Sequence, residues 1–120
     1  MVGLDLIEID RLERALERRP KLGERVFTEA ERAFAAARAR PGQHLAVRFA
    51  AKEAALKALG LGGLRLHEVE VVGGGDQPPR IELHGSAAEE AERRGIELEL
   101  SLTHSRELAA AVVVARPAAP

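Results

Sequence analysis

The feature that most constrains the fold of this chain is a long helical segment near its middle. The segment from Arg48 to Gly60 has the sequence RFAAKEAALKALG and predicts a helix from about Gln43 to Leu59 that ends at the glycine. Four large apolar side chains recur along it at helical spacing: Leu45, Phe49, Leu56 and Leu59. This periodicity predicts an apolar stripe that packs against the rest of the domain.

Charged side chains interrupt this helix. Lys52 falls inside the apolar stripe, where a lysine is unusual, so either its ammonium reaches water along a buried stem or a partner meets its charge. Glu53 and Lys57 stand one turn apart at the edge of the stripe. They form an ordinary surface pair, contributing about 0.2–0.5 kcal/mol, or they act with Arg48 and Lys52 to receive a metal and a phosphate.

Composition excludes several classes of protein. Hydrophobic residues make up 46% of the chain but aromatic residues only 2%, and the formal net charge is -1, so we expect no nucleic-acid partner. The absence of cysteine excludes disulfides, thiolate metal sites and a cysteine nucleophile. No apolar run approaches the ~20 residues of a membrane span, and the first residues do not resemble a signal peptide. We therefore expect a soluble, cytoplasmic protein that has no membrane partner.

Turn and capping signals predict the order of the elements. We expect a strand over Val2–Ile9, helices over Arg11–Arg19 and Thr28–Ala39, the central helix, strands over His67–Val72 and Arg80–His84 joined by a turn, a helix over Ser86–Gly95, and strands over Ile96–Leu102 and Leu108–Ala115. Capping boxes are expected at Asp10/Glu13, Thr28/Glu31 and Ser86/Glu89. This order predicts an α+β fold, a single domain over 1–116 with a largely antiparallel sheet packed against the long central helix, and a tail over 117–120.

The first strand carries an unusual carboxylate. Alternation places Asp5 on the face of the strand that also carries Ile7 and Ile9, and apolar residues on the other face predict that both faces are buried. A carboxylate among apolar neighbours is paired, protonated or bound to metal, or it accepts backbone N–H groups. Gly3 indicates a close backbone approach or a bulge.

Two carboxylates from different elements, Asp5 and Glu53, suit a hard cation that prefers oxygen ligands. Mg²⁺ takes one or two protein carboxylates and completes its shell with water and substrate phosphate. The cations of the central helix would neutralise phosphate oxygens and a departing phosphate. The residues therefore predict Mg²⁺-assisted displacement at phosphorus. His104, at the turn between the last two strands, is either a surface residue or a further participant.

Two motifs also resemble a known family. Gly3 to Arg11, with the sequence GLDLIEIDR, is similar to the GxDxxEIxR signature of holo-[acyl-carrier-protein] synthases, the small, trimeric group of 4′-phosphopantetheinyl transferases. Arg48 to Gly60 is similar to their RFAAKEAxxKAxG signature. Phe27-Thr28-x-x-Glu31 and Ser101-Leu102-Thr103-His104 fall at matching positions too. The resemblance covers nearly the whole chain and implies the 4′-phosphopantetheinyl transferase fold.

The resemblance implies transfer of 4′-phosphopantetheine from coenzyme A to a serine of apo acyl-carrier protein, leaving adenosine 3′,5′-bisphosphate and supporting fatty acid biosynthesis. Asp5 and Glu53 would be the Mg²⁺ ligands, and Lys57 would stabilise the pyrophosphate and the leaving group. Asp5, Glu53 and Lys57 are thus the expected catalytic residues. A metal-bound water or a carboxylate near the metal is expected to act as the base for the serine.

The resemblance also implies partners. Arg48, Lys57 and His104 would bind coenzyme A, the first and last at its nucleotide end. Arg11 and Arg14 would dock the acidic recognition helix of the carrier protein. A homotrimer is expected, with active sites between adjacent protomers, so Asp5, Glu53 and His104 need not converge within one chain.

Two rival functions follow from the same residues. A non-catalytic module that binds coenzyme A or carrier protein on the same scaffold predicts the loss of a metal carboxylate or of Lys57, and all three residues are present. A Mg²⁺-dependent hydrolase of nucleotide pyrophosphates predicts further acidic residues clustered on the central helix, which offers only Glu53.

Overall fold

The chain is arranged around its longest helix. The structure is a computed structural model that describes residues 1–119, with the side chain of residue 64 left out of the description. In chain order, the elements are β1 (Val2–Glu8), α1 (Ile9–Arg18), α2 (Pro20–Val26), α3 (Glu29–Ala36), α4 (Pro41–Leu59), a 3₁₀ helix (Gly63–Glu68), β2 (Val69–Gly74), β3 (Gln77–Leu83), α5 (Gly85–Arg94), β4 (Ile96–His104) and β5 (Leu108–Pro117). Helices and antiparallel strands share one small unit, which confirms the predicted α+β fold.

The central helix α4 is buried on nearly every side. It begins two residues before the predicted Gln43 and ends as predicted, because Gly60 adopts the left-handed conformation, with φ of 69°, that terminates helices. From Ala46 to Leu59, only Phe49, Glu53 and Lys57 are not fully buried. The predicted single apolar stripe is therefore wrong. Alanines between the larger residues allow other elements to pack closely around the helix, so α4 has a narrow open face instead.

A three-stranded antiparallel sheet, in the order β1-β5-β4, packs on one side of α4. A methyl group built on Gly3 of β1 would lie 1.8 Å from the carbonyl oxygen of Ala54, so a larger residue at this position would separate the strand from the helix. The close approach that Gly3 indicates in the sequence is confirmed. Asp5 pairs with Ala111 of β5 and lies on the same strand face as Gly3.

The outward face of β1 is apolar and open in the single chain. Val2, Leu4 and Leu6 are 63%, 65% and 63% exposed, so the prediction that both faces of this strand are buried is wrong for one protomer. β1 is also an edge strand, since only β5 pairs with it. A row of exposed branched side chains on an edge strand is typical of a surface that another chain covers.

The hairpin β2–β3 forms a separate two-stranded sheet. Its strands start and end at other residues than predicted, because the 3₁₀ helix takes the residues up to Glu68 and β2 continues through Gly73 to Gly74. Gly73, Gly74 and Gly75 all have positive φ, at 81°, 95° and 64°. Glycine adopts this conformation without steric cost, and it lets the chain reverse between the strands.

Helix starts depend on local and distant partners. The capping box at Thr28 and Glu31 is confirmed. The one at Asp10 and Glu13 is wrong, since α1 begins at Ile9 without a side-chain cap. The one at Ser86 and Glu89 is also wrong, since the N-cap residue of α5 makes no side-chain cap. The short helix α2 was not indicated by periodicity.

Within residues 1–119, no helix is long and apolar enough to cross a membrane.

Glu68 supplies the cap of α5 from outside the helix. Its Oε1 accepts hydrogen bonds from Ser86 Oγ at 2.7 Å and from the Ala87 N–H at 2.8 Å. These bonds, the Ser86 bond first, hold the pKa of Glu68 below its usual range. A carboxylate with a lowered folded-state pKa stabilises the fold above its unfolded pKa, and this stabilisation is lost as the pH falls through the folded pKa.

We expect Glu68→Ala to lower the free energy of unfolding by about 1 kcal/mol near neutral pH, the usual cost of losing a helix cap. The difference from the wild type should shrink as the pH falls below about 4, because the wild-type carboxylate is protonated progressively as the pH falls through its lowered pKa. Urea unfolding over a pH series measures both effects. Glu89→Ala is the matched control, expected within about 0.5 kcal/mol of the wild type. A larger loss for Glu89→Ala than for Glu68→Ala would show that the Ser86–Glu89 box forms in solution.

Candidate active site

Asp5, Glu53 and Lys57 lie together where β1 crosses α4. Lys57 Nζ is 3.3 Å from Asp5 Oδ1 and donates a hydrogen bond to the Leu4 carbonyl oxygen at 3.0 Å. The side chain of Asp5 is 17% exposed and that of Lys57 is 54% exposed. The structure thus brings together the three residues predicted to be catalytic.

The open face of α4 places two of these residues. Phe49, Glu53 and Lys57 are spaced four residues apart, so they form one row along the helix. Phe49, Glu53 and Asp5 line a cleft of about 670 Å³ between β1, α1 and α4. The close contact of Gly3 with α4 holds Asp5 against this row. Most of the residues that line the cleft are apolar.

The electrostatics of this site favour a cation. Burial raises the pKa of Glu53, the negative charge of Asp5 raises it further, and Lys57 offsets part of this increase. Two carboxylates that repel one another in a partly buried position are stabilised by a positive charge between them. Carboxylate oxygens are the ligands that Mg²⁺ prefers, so Asp5 and Glu53 form a donor set that could hold this ion.

Another group of possible metal ligands lies on the hairpin. Glu70, Glu82 and His84 have ligand atoms within 4.8 Å of one another. Glu70 is already engaged, because it accepts a hydrogen bond from Thr28 Oγ1 at 2.8 Å and lies 2.9 Å from His84 Nε2. The sequence does not indicate this group, since only the register of the hairpin places Glu70 opposite Glu82.

Arg48 and His104 lie elsewhere, in a second cleft of about 200 Å³. Arg48 is buried and donates to the carbonyl oxygens of Val71 at 3.0 Å and Gly73 at 2.9 Å. Of the predicted site residues, Asp5, Glu53 and Arg11 therefore line one cleft of the chain and Arg48 and His104 line another.

Three residues that the sequence analysis missed complete the second cleft. Phe34 lies between two guanidinium groups, with Arg38 at 3.8 Å and Arg48 at 4.0 Å from its ring centre. The ring of His44 is 5.8 Å from Phe34 and 6.5 Å from His104. The pKa of His44 is lowered by burial and then by the charges of Arg38, His104 and Arg48. Cationic and aromatic groups in one cleft suit a nucleotide, because cations bind its phosphate and aromatic rings contact its base. The sequence signal for them is the i,i+4 spacing of Phe34–Arg38 and His44–Arg48, but nothing in it relates the two helices.

Lys52, adjacent to Glu53, is held inside the protein. Lys52 Nζ lies 2.7 Å from Glu31 Oε1, and both side chains are 0% exposed. Lys52 also donates hydrogen bonds to the carbonyl oxygens of Leu66, at 3.1 Å, and Val69. Burial lowers the pKa of Lys52, and Glu31 opposes this effect. The alternative in which the ammonium reaches water is wrong, because Glu31 and two carbonyl groups surround it.

Comparison with known proteins relates the whole chain to one superfamily. A sequence model of the family ACPS, the 4′-phosphopantetheinyl transferase superfamily, matches residues 1–113. The holo-[acyl-carrier-protein] synthase of Moorella thermoacetica is 48% identical over 115 residues, which are 93% of this chain and 90% of that protein. The holo-[acyl-carrier-protein] synthase of Salinispora arenicola is 45% identical over 116 residues, 95% of each chain.

Solved structures share the fold. The Helicobacter pylori holo-[acyl-carrier-protein] synthase in complex with coenzyme A has a TM-score of 0.81 and 30% identity, covering 97% of this chain and 100% of that one. The coenzyme A complex of the Chronobacterium ammoniagenes synthase has a TM-score of 0.85 and 30% identity, covering 97% and 96%.

The two lysines of α4 should respond differently to removal of their charge. We expect Lys52→Met to lower the free energy of unfolding by about 3–5 kcal/mol, because Glu31 would be left buried without a counter-charge. Lys57→Met, the matched control on the open face, should change it by less than about 1 kcal/mol. Urea unfolding measures both. Equal losses would contradict the structural role assigned to Lys52.

Proposed function

Because this chain belongs to the 4′-phosphopantetheinyl transferase superfamily, we propose that it transfers 4′-phosphopantetheine from coenzyme A to a serine of apo acyl-carrier protein, releasing adenosine 3′,5′-bisphosphate. The relatives named holo-[acyl-carrier-protein] synthase, and the H. pylori one bound to coenzyme A, support this reaction. The observation that carries the proposal is the convergence of Asp5, Glu53 and Lys57 where β1 crosses α4. We assign the reaction to one domain over residues 1–116.

Asp5 and Glu53 would hold Mg²⁺ by their carboxylate oxygens. When bound, the ion would polarise the pyrophosphate of coenzyme A and neutralise negative charge on the oxygens of the phosphoryl group being attacked. The raised pKa of Glu53 supports this assignment, since the burial and like charge that cause it are both offset by a bound cation. The partly buried position of Asp5 keeps this carboxylate directed at the site.

Lys57 would stabilise the leaving group. Its ammonium already lies beside Asp5 and the Leu4 carbonyl, so it is restrained next to the acidic pair. The serine hydroxyl gives its proton to a base, and its oxygen forms a bond to phosphorus while the bond from phosphorus to the bisphosphate oxygen breaks. Negative charge grows on that departing oxygen. A cation positioned for that charge lowers the barrier without rearranging during the step.

The second cleft would bind the nucleotide end of coenzyme A. Arg48 and His104 line it together with Phe34, Arg38 and His44, which offer positive charge and aromatic faces. Arg38 is better placed than Arg48 for a phosphate, because Arg48 donates to the backbone of β2. We extend the prediction for Arg48 and His104 to these neighbouring residues.

A homotrimer would bring the two clefts of adjacent protomers together. The exposed apolar face of β1, formed by Val2, Leu4 and Leu6, supports an assembly because a second chain would remove it from water. Asp5 lies on this same strand, and Glu53 lies next to it on α4. A site between protomers would then combine Asp5 and Glu53 of one chain with the second cleft, lined by Arg48 and His104, of its neighbour.

Carrier protein would dock on the exposed arginines of α1. Arg11 lines the large cleft beside Asp5, so an acidic helix bound there would place its serine near the proposed metal site. Arg14 is exposed and pairs with Asp10 at 2.6 Å. Charge complementarity of this kind increases the association rate and selects the partner.

A transfer assay tests the proposed reaction. With coenzyme A, Mg²⁺ and apo acyl-carrier protein, mass spectrometry should find an adduct of ~340 Da on the carrier, the mass added by this covalent modification. We expect Glu53→Gln to lower turnover at least about 100-fold, because an electrostatic contact made in the transition state is lost. Glu92→Gln, on the exposed face of α5, should retain wild-type turnover. Binding of coenzyme A without any adduct would instead support the non-catalytic module.

The docking assignment has its own test. Arg11→Ala should raise the KM for carrier protein about tenfold with little change in kcat, since it removes binding that is equal in the ground and transition states. The dependence of kcat/KM on ionic strength should weaken in parallel. Arg93→Ala on α5, which pairs only with Glu90 in the described structure, is the control. A loss of kcat at an unchanged KM would contradict the docking role.

A further inference from the structure

The outer edge of β2 is satisfied by side chains instead of a strand. β2 pairs with β3 along one edge, and in a strand the N–H and C=O groups of alternate residues point to the same side. Along the other edge, the Val69 carbonyl accepts from Lys52, and the Val71 and Gly73 carbonyls accept from Arg48 at 3.0 and 2.9 Å. The Val71 N–H donates to Glu31 Oε2 at 2.8 Å.

The three side chains come from two helices. Arg48 and Lys52 are one turn apart on α4, and Glu31 projects from α3. Glu31 joins the two helices through its 2.7 Å contact with Lys52. We name Glu31, Arg48 and Lys52 the brace, since together they hold β2 to α3 and α4.

We propose that Glu31 and Lys52, with Arg48, are positioning residues for the transfer reaction, because the brace fixes the β2–β3 turn as one wall of the nucleotide cleft. This inference rests on the proposed function, since it takes the nucleotide end of coenzyme A as the ligand of that cleft. Glu31 and Lys52 are fully buried, so they act on the ligand only through the backbone they hold.

The brace and the cleft are adjacent parts of the same three elements. Phe34 follows Glu31 by one turn of α3, and His44 precedes Arg48 by one turn of α4. Gly74 follows Gly73, the last residue of β2 that the brace contacts. In α3, α4 and β2 alike, residues that form or contact the brace are therefore followed or preceded, within one turn or one residue, by residues that line the cleft.

The wall that the turn provides is bare backbone. A methyl group on Gly74 would lie 3.0 Å from Phe34 Cζ and 3.4 Å from Arg48 Nη2, and one on Gly75 would lie 3.1 Å from Arg38 Nη2. No flexible side chain lies between the turn and these groups. A displacement of β2 relative to α4 therefore changes the width of the cleft directly.

The polar character of the brace supports a positioning role. A buried ion pair contributes little net stability compared with apolar side chains of similar volume. Hydrogen bonds to particular carbonyl groups, however, specify one register of β2 along α4, which apolar contacts do not. The need to fix this register explains why Lys52 and Glu31, rather than apolar residues, occupy these buried positions.

The double variant Glu31→Gln/Lys52→Met tests the proposal. It removes both buried charges together, so neither is left without a partner. We expect the KM for coenzyme A to rise about tenfold with kcat within about twofold of the wild type, the pattern of lost uniform binding. The dissociation constant for coenzyme A, measured by calorimetry on folded protein, should rise by the same factor. Unchanged affinity for coenzyme A in the folded variant would overturn the proposal.

A control separates positioning from general destabilisation. Val113→Ala creates a cavity at a buried position of β5, outside both clefts. It should lower the free energy of unfolding and leave the KM for coenzyme A unchanged. If it raises this KM as much as the double variant does, the brace has no specific role.

A second variant applies if the double variant does not fold. Glu31→Asp keeps the charge but shortens the side chain, and it should raise the KM for coenzyme A in the same direction by a smaller factor, with kcat retained. An unchanged KM in this variant overturns the proposal. Wild-type protein that binds coenzyme A but transfers nothing overturns the proposed reaction, and the brace is then judged by the dissociation constants alone. Wild-type protein that does not bind coenzyme A overturns both.

Discussion

The close contact between β1 and α4 is the constraint on which the rest of this structure depends. The strand backbone can approach the Ala54 carbonyl only because Gly3 has no side chain. Asp5 lies two residues further along the same strand face, and the contact holds it beside Lys57. Burial raises the pKa of Glu53, and the nearby charge of Asp5 raises it further. Gly3 and Ala54, which have no reactive side chains, thereby set the distance between the groups to which we assign the reaction.

The helix α4 serves both clefts because it is enclosed on nearly all sides. Phe49 and Glu53 of its open row line the cleft that contains Asp5, whereas Arg48 and Lys52 are buried and hold β2. The β2–β3 turn and the Asp5–Glu53 pair are thus both positioned relative to α4. Buried charges are costly when unpaired. Here the ammonium of Lys52 pairs with Glu31, and Lys52 and Arg48 both donate hydrogen bonds to carbonyl groups of β2. The exposed face of β1 is the main apolar surface left open by this arrangement.

Much of the acidic site could be predicted from the sequence. Glu53 and Lys57 are neighbours through helical spacing alone, and the alternation of β1 places Asp5 on the strand face that also carries Ile7. The resemblance implied that His104 need not converge with Asp5 and Glu53 in one chain. Residue patterns alone could not predict that Arg48 and His104 share a separate cleft, because this depends on which side of α4 each element packs. Lys52 stood out as a lysine among apolar residues, but its partner Glu31 was already explained as a capping residue. In the structure, one oxygen of Glu31 accepts from the Thr28 N–H and the other from the Val71 N–H.

The sequence by itself determined what depends on neighbours along the chain: the end of α4 at Gly60, the capping box that starts α3, the close backbone approach at Gly3 and the resemblance of two motifs to a transferase family. Tertiary structure alone decided what depends on partners distant along the chain. Glu68 caps α5 in place of the predicted Ser86–Glu89 box. The alanines of α4 let other elements pack around a helix for which the sequence predicted a single apolar stripe. Glu31 forms an ion pair with Lys52. The physical reason is that helix periodicity and capping act over a few residues, whereas the burial of a charge is settled by whichever elements pack around it.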